Sequence, residues 1–276
     1  MDDKATLVKA MKGASAVFAL TNYWESMDAE KEVKQGKNLV DAAKETGVQQ
    51  FIWSSLLDVN KCKLPSNCHS RPIITPLTQP PVSGGKLPNV YHFDSKAKVE
   101  EYAREVGIPA TFFLPGFFLS NLSGGNFRPT PPDNAWTLTF PISPSAPIPA
   151  FDAADTGKYI KAAVLNRDKV LGKRILGATN YTTPAEIVET FRQLFPEAGK
   201  TARYNQVSLE EFKGILKSKG MPDFAAQEMV ENFQLFDEFG YYGGASLDET
   251  HALVEDKLTT WAEHAKASKK WGVELK

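Results

Sequence analysis

Four short runs constrain this chain more than anything else in it. "ASAVFALTN", "VQQFIWSSL", "IPATFFLPG" and "GKRILGATN" are each almost wholly apolar, and each ends in polar or turn-forming residues. An alternating strand covers a core with one face only. A continuous apolar run of this length is buried on both faces, the habit of a parallel sheet clad by helices. Helical patterns separate the runs: Val33, Gly36, Leu39, Val40 and Ala43 share one face, as do Val99, Tyr102, Ala103 and Val106. Strand and helix therefore alternate, which predicts an α/β fold with right-handed crossovers.

Beyond about residue 180 the texture changes. "TPAE" at Thr183, "SLEE" at Ser208 and "SLDE" at Ser246 each set a hydroxyl three residues before a Glu, so that the two groups can satisfy each other's free backbone donors at a helix start. The expected division is an α/β domain over 1–180 and a smaller, mostly helical region over 181–276. A last helix is predicted with Leu247, His251, Val254, Leu258, Trp261 and Ala265 on one stripe, His251 packed within it, ending near Gly272. Two Pro-rich stretches, "CKLPSNCHSRPIITPLTQPPVSGGKLPNVYHF" and "NFRPTPPDNAWTLTFPISPSAPIPAFD", read as irregular lids or loops.

Composition excludes some classes. With 32 Lys and Arg against 33 Asp and Glu, the net charge of −1 lacks the electrostatic footprint of direct nucleic-acid binding. No apolar run is long enough for a membrane span and the first residues lack a signal-peptide core, so a soluble protein of the cytoplasm or nucleus is expected. Cys62, Cys68 and His69 lie close together, yet no second Cys or His pair stands at zinc-finger spacing, and no metal is expected.

A dinucleotide fold normally carries a Gly-rich turn between its first strand and a helix, where backbone N–H groups and the helix dipole hold the pyrophosphate. No G-x-G-x-x-G or G-x-x-G-x-x-G occurs here; "SGGK", "SGGN" and "YYGG" are isolated glycine pairs. Four blocks nevertheless form a recognisable series: "LVKAMKGASAVFALTNYWE", "KNLVDAAKETGVQQFIWSSL", "VYHFDSKAKVEEYAREVGIPATFFLPGFFLSN" and "FDAADTGKYIKAAV". In order and spacing they resemble the NmrA-like group of atypical short-chain dehydrogenases. The resemblance implies a Rossmann-like parallel sheet flanked by helices. It also implies that these blocks correspond to the family's fourth strand onward, with the glycine elbow and the first βαβαβ half upstream. On that reading the sheet is partial and one side of "AVFALTN" is open. A homodimer, a protein partner or a longer gene product would then complete it.

The strand ends supply the candidate site. Thr21, Asn22 and Trp24 follow the first run, Ser54 and Ser55 end the second, and Pro115, Gly116 and Phe117 end the third, where open α/β sheets bind ligands. The resemblance assigns these positions to the nicotinamide half of a cofactor cleft. Asp94 is the expected N-cap of "SKAKVEEYAREVG", which puts Lys96 on the packed face with Val99 and Ala103. Lys96 resembles the family lysine beside the nicotinamide ribose. Short-chain dehydrogenases carry a Tyr four residues before that lysine; here the position is His92, with Tyr91 one further back. Lys96, Tyr91 and His92 are therefore the catalytic candidates.

Three functions follow. The first is a redox-sensing or regulatory protein with a degenerate NADP(H) cleft, acting through a protein partner. The second is an NmrA-type enzyme on a small hydrophobic metabolite, Trp24, Trp53, Tyr91, Phe117, Phe118 and Trp136 supplying an apolar lining. With the phosphate loop absent, NADP(H) binding is expected to be weak or lost, which favours a cofactor-independent isomerase, dehydratase or cyclase. The third is a ligand-free scaffold.

Overall fold

The computed structural model describes residues 1–60 and 82–271. The chain begins with α1 (Lys4–Met11), β1 (Ala16–Ala19), the short α2 (Tyr23–Ser26), α3 (Ala29–Thr46) and β2 (Gln50–Ser54). It continues with α4 (Tyr91–Glu105), β3 (Ala110–Pro115), β4 (Phe117–Phe118), β5 (Phe127–Thr130), β6 (Ala135–Phe140) and β7 (Ile148–Phe151). Then come α5 (Thr156–Leu165), α6 (Arg167–Val170), β8 (Arg174–Gly177), β9 (Asn180–Thr182), α7 (Pro184–Leu194) and α8 (Pro196–Gly199). The last elements are β10 (Arg203–Gln206), α9 (Leu209–Ser218), α10 (Asp223–Glu238), α11 (Asp248–His251) and α12 (Trp261–Ala267).

Two compact units form, each from several segments. Met1–Leu114, Lys158–Leu176 and Glu249–Glu255 make the first; Pro115–Gly157, Gly177–Asp248 and the chain from Asp256 make the second. The contiguous cut near residue 180 does not coincide with them. The reason is topological: β3 and β8 are sheet neighbours, and the long segment between them leaves that sheet to build strands elsewhere.

In the first unit the four apolar runs become one sheet in the order β1-β2-β3-β8, with β1 at one edge among the described residues. Pairing is parallel from β1 to β3: Ala16 lies opposite Gln50, Ala19 opposite Trp53, and Ser54 opposite Phe113. Every residue of β2 is buried, as expected of a strand covered on both faces. The Asp28 carboxylate starts α3 by accepting from the N–H groups of Glu30 and Lys31, and Gly47 ends it at φ 69°. α3 packs on α4 closely because Gly36 has no side chain; a Cβ there would lie 2.4 Å from Cγ2 of Val99.

α4 corrects one expectation. It starts at Tyr91, not after Asp94. Asp94 sits inside the first turn and looks outward to the chain after β2. Its carboxylate accepts from the Val59 N–H at 2.9 Å and the Asn60 side-chain amide at 2.8 Å. A tertiary partner for the carboxylate displaced the local cap.

In the second unit β6 lies between β10 (parallel) and β5 (antiparallel), and β7 between β4 (parallel) and β9 (antiparallel). The stretch read as a Pro-rich loop over 126–152 is therefore largely strand. Pro129 is tolerated because β5 is an edge strand. Phe127, Trp136, Phe191 and Trp271 interlock, with ring centroids 4.5–6.3 Å apart.

The capping boxes at Thr183 and Ser208 form as expected. The third forms at Thr260 and Glu263, not at Ser246 and Glu249. The expected continuous last helix is broken into α11 and α12. Buried Asp155 explains the break: it accepts from the Thr259 N–H at 2.6 Å and from the Thr259 hydroxyl at 3.0 Å, which stops any helix there and leaves Thr260 to cap the next. His251, expected in the packed stripe, is exposed at the end of α11. Among the described residues no helix is long and apolar enough to cross a membrane. Cys62, Cys68 and His69 lie outside the described residues.

Candidate functional site

At the end of β1 the chain turns through Thr21 into α2, and α4 brings Lys96 to the same place. Trp53 on β2 holds the approach: its indole N–H donates to the Lys96 carbonyl at 3.0 Å, and the ammonium lies 5.6 Å from the indole ring. The Lys96 Nζ donates to the Thr21 carbonyl at 2.8 Å and the Thr21 hydroxyl at 3.2 Å, and pairs with Oε1 of Glu32 at 3.0 Å. Glu32 in turn accepts from the Thr21 hydroxyl at 2.7 Å and from the Ser95 hydroxyl. The lysine side chain is 12 % exposed and the glutamate 1 %.

A buried ion pair is tolerable only when its remaining donors and acceptors are satisfied, and here they satisfy each other. Burial pushes the Lys96 ammonium below its ordinary range, with Glu32 opposing the shift. The cluster can hold a proton between base and acid, and its longest bond, from Lys96 to the Thr21 hydroxyl, is the one a ligand hydroxyl would replace most easily.

Glu32 and Ser95 were missed in the sequence. The available signal was periodicity: Glu32 precedes Gly36 by four residues on the stripe that continues through Leu39, Val40 and Ala43, all buried. A carboxylate on such a stripe needs a buried partner.

The other candidates divide. His92 and Trp24 meet beside the cluster, ring centroids 5.1 Å apart, with Tyr23 against both. Trp24 and Tyr91 are about four-tenths exposed, and the Tyr91 hydroxyl donates to Asn89 at 2.7 Å. Asn22 is exposed at the N-cap of α2. Ser54 ends β2 and is buried. Ser55 belongs to another network: its hydroxyl donates to Glu100 at 2.6 Å, and Glu100 also receives Arg104 and Arg174 at 2.8 and 2.9 Å. Pro115, Gly116 and Phe117 fall in the second unit. There a Cβ on Gly116 would lie 2.5 Å from the Pro149 carbonyl, and Phe117 packs against Phe140, Phe233 and Phe236. Trp53 is a core residue of the first unit and Trp136 of the second.

Two clefts of about 440 and 400 Å³ flank α3 and α4. Lys34, Lys37 and Lys98 line the first; Tyr91, Asp94 and Ser95 line the second. Lys96 lines neither.

Lys96 and Glu32 offer a donor and an acceptor of the kind ribose hydroxyls need, and the part-exposed Trp24 indole, with His92 tilted 48° against it, offers an aromatic face for a ring. The first turn of α3 offers a phosphate nothing: the Asp28 carboxylate takes the N–H groups of Glu30 and Lys31, and Glu30 adds negative charge. The residues present thus fit the nicotinamide–ribose half.

The profile of the NmrA-like family matches residues 1–69 and 77–265. A nitrogen metabolite repression protein, nmr, of Neurospora crassa is 29 % identical over 216 residues, which span 75 % of this chain and 38 % of that protein. A crystal structure of NmrA, a negative transcriptional regulator, in complex with NADP superposes with a TM-score of 0.70 at 21 % identity, covering 96 % of this chain and 76 % of the other. The NADPH-dependent quinone oxidoreductase QOR2 of Escherichia coli, complexed with NADPH, gives 0.65 at 19 % identity, covering 96 % and 80 %. At these identities the two structures establish a shared Rossmann-type fold.

Proposed function

The chain belongs to the NmrA-like family, and from that premise we propose that it is a regulatory protein that reads the redox state of NADP(H) in a degenerate cleft and passes it to a protein partner. One observation carries this reading: Lys96 is neutralised by Glu32, and the residue four positions before it is His92, packed on Trp24 and Tyr23. A dehydrogenase needs at that position a phenol that the lysine can activate. Sensing needs only differential binding of two redox forms. The names of the Neurospora relative and of the NADP-bound neighbour support the same direction.

In this reading Lys96 and Glu32 would hold the ribose hydroxyls, and Trp24 and His92 the ring. A bound nicotinamide supplies the ring whose charge differs between oxidised and reduced forms. Calorimetric titration of the 276-residue chain with NADP, NADPH and NAD tests the proposal. Binding is expected to prefer one redox form of NADP(H), without NADPH turnover, and to weaken in Trp24→Ala, a change at an exposed position. Equal affinities for NADP and NADPH, or no binding to the folded chain, would overturn it.

A second reading rests on the desolvated lysine itself. Lys96, with its pKa lowered by burial and a carboxylate at hand, suits proton transfer on a small hydrophobic metabolite, with or without the cofactor. Turnover of such a substrate that is lost in Lys96→Met and retained in Trp24→Ala would favour this enzyme over the sensor.

A further inference from the structure

Outside the Lys96 cluster, the second unit holds a serine, a histidine and an aspartate in one hydrogen-bonded line. The Nδ1 of His264 lies 2.7 Å from Oδ2 of Asp152, and its Nε2 lies 3.3 Å from the Ser123 hydroxyl. The donors can be assigned from the network. The Lys270 N–H donates to the Ser268 hydroxyl at 3.2 Å, and Ser268 donates to Ser123 at 2.9 Å. Ser123 therefore accepts from Ser268 and has its own proton free for Nε2. Asp152 as a carboxylate can only accept, which fixes the proton of His264 on Nδ1 and leaves the Nε2 lone pair facing Ser123. All the bonds run one way, toward Asp152.

Local devices hold each member. Asp152 caps the short turn Ala153–Asp155 through Oδ1, which accepts from the Ala154 N–H at 2.9 Å, so only Oδ2 turns to the histidine. Asp155 of the same turn fixes Thr259, and Thr260 then starts α12, which carries His264. The Trp261 ring lies along the imidazole at 6.1 Å, itself held by its indole N–H on the Ile187 carbonyl at 3.1 Å. Ser123 sits in the tight turn Leu122–Asn126, where Gly125 adopts φ 138°, a conformation that residues with a Cβ rarely adopt.

We propose that Ser123, His264 and Asp152 form a nucleophilic serine site for acyl transfer from small esters to water. The nitrogen assignment is the one that base-activated serine chemistry requires. Ser123 attacks the ester carbonyl carbon while its proton passes to Nε2 of His264. The tetrahedral adduct collapses, the alcohol departs with that proton, and the acyl group stays on Ser123. Water, losing a proton to His264, then displaces the acyl group as the carboxylic acid, and Ser123 regains its proton. Asp152 stays ionised and steadies the imidazolium. Ser123 is 2 % exposed and the side chains of His264 and Asp152 are 13 % and 14 % exposed, and so tight a site selects slim, short-chain esters.

The test is covalent labelling of the full chain with an alkyl fluorophosphonate, read by intact mass and peptide mapping, alongside hydrolysis of p-nitrophenyl acetate. A single adduct on Ser123 is expected, with labelling and hydrolysis both slowed about 10²-fold or more in His264→Gln. A thermal melt confirms that His264→Gln is folded, Ser123→Ala is expected to lose the adduct, and mapping of the wild-type adduct decides the outcome even where Ser123→Ala does not fold. Absence of an adduct on Ser123 in the folded protein overturns the proposal, as does equal labelling in a folded His264→Gln variant.

Discussion

At the scale of the residue, Lys96 and Glu32 show how closely one side chain's chemistry depends on another. Removing the ammonium leaves a carboxylate that is 1 % exposed with no counter-charge. Lys96→Met is therefore expected to cost about 3–5 kcal/mol in urea unfolding. The double variant Lys96→Met with Glu32→Gln is expected to recover much of that loss, because the amide keeps an acceptor for a hydroxyl without a buried charge. A single-variant loss below about 1 kcal/mol, the range of exposed pairs, would mean that the pair is solvated and that its burial plays no part in tuning the lysine. The lysine's direction toward the strand ends was legible in the sequence from its place among Val99 and Ala103. Its partner was not, because Glu32 lies on another helix.

At the scale of the element, the contact of α3 with α4 is set by one missing side chain. A Cβ at position 36 would lie 2.4 Å from Val99 Cγ2, and the valine is fully buried. Gly36→Ala is expected to destabilise the protein by about 1–3 kcal/mol despite alanine's better helix propensity. Adding Val99→Ala should restore part of the loss, measured as denaturation midpoints at constant m-value. Stabilisation by Gly36→Ala alone would mean that the two helices separate at little cost. Since α3 carries Glu32 and α4 carries Lys96, this packing also positions the candidate site.

At the scale of the whole molecule, the acid limb of stability reports surface pairs. Asp133 is held at about 2 by the Arg203 guanidinium, which meets it at 2.7 and 3.0 Å. Glu263 is also held at about 2, by Lys257 and by the hydroxyl and N–H of Thr260. Each carboxyl binds fewer protons in the folded state than in the unfolded chain, so each contributes stability above its ordinary value of 3.8 or 4.5. That contribution is lost as pH falls from there through about 2. Asp133→Asn with Glu263→Gln is expected to flatten stability against pH in this window and leave its slope near neutrality unchanged. An unaltered acid limb would assign acid unfolding to other carboxylates.

The sequence by itself determined the four strands of the first sheet, the helices between them, two of the three capping boxes and the family. All of these are encoded locally: apolar period, a hydroxyl and a glutamate three residues apart, and blocks of motif in order. Burial on both faces holds for β2 and nearly all of β3, whereas β1 and β8 are partly exposed. Tertiary structure decided the rest. Asp94 left its expected cap for Val59 and Asn60, and Asp155 broke the last helix at Thr259, 104 residues away. A Pro-rich stretch became strands once β10 lay beside β6. Asp152 and His264 met across 112 residues. A side chain's nearest cap or period can be read along the chain, but a buried polar group takes whichever partner the completed fold brings within hydrogen-bond reach, and leaving it unpaired would cost more than abandoning the local preference.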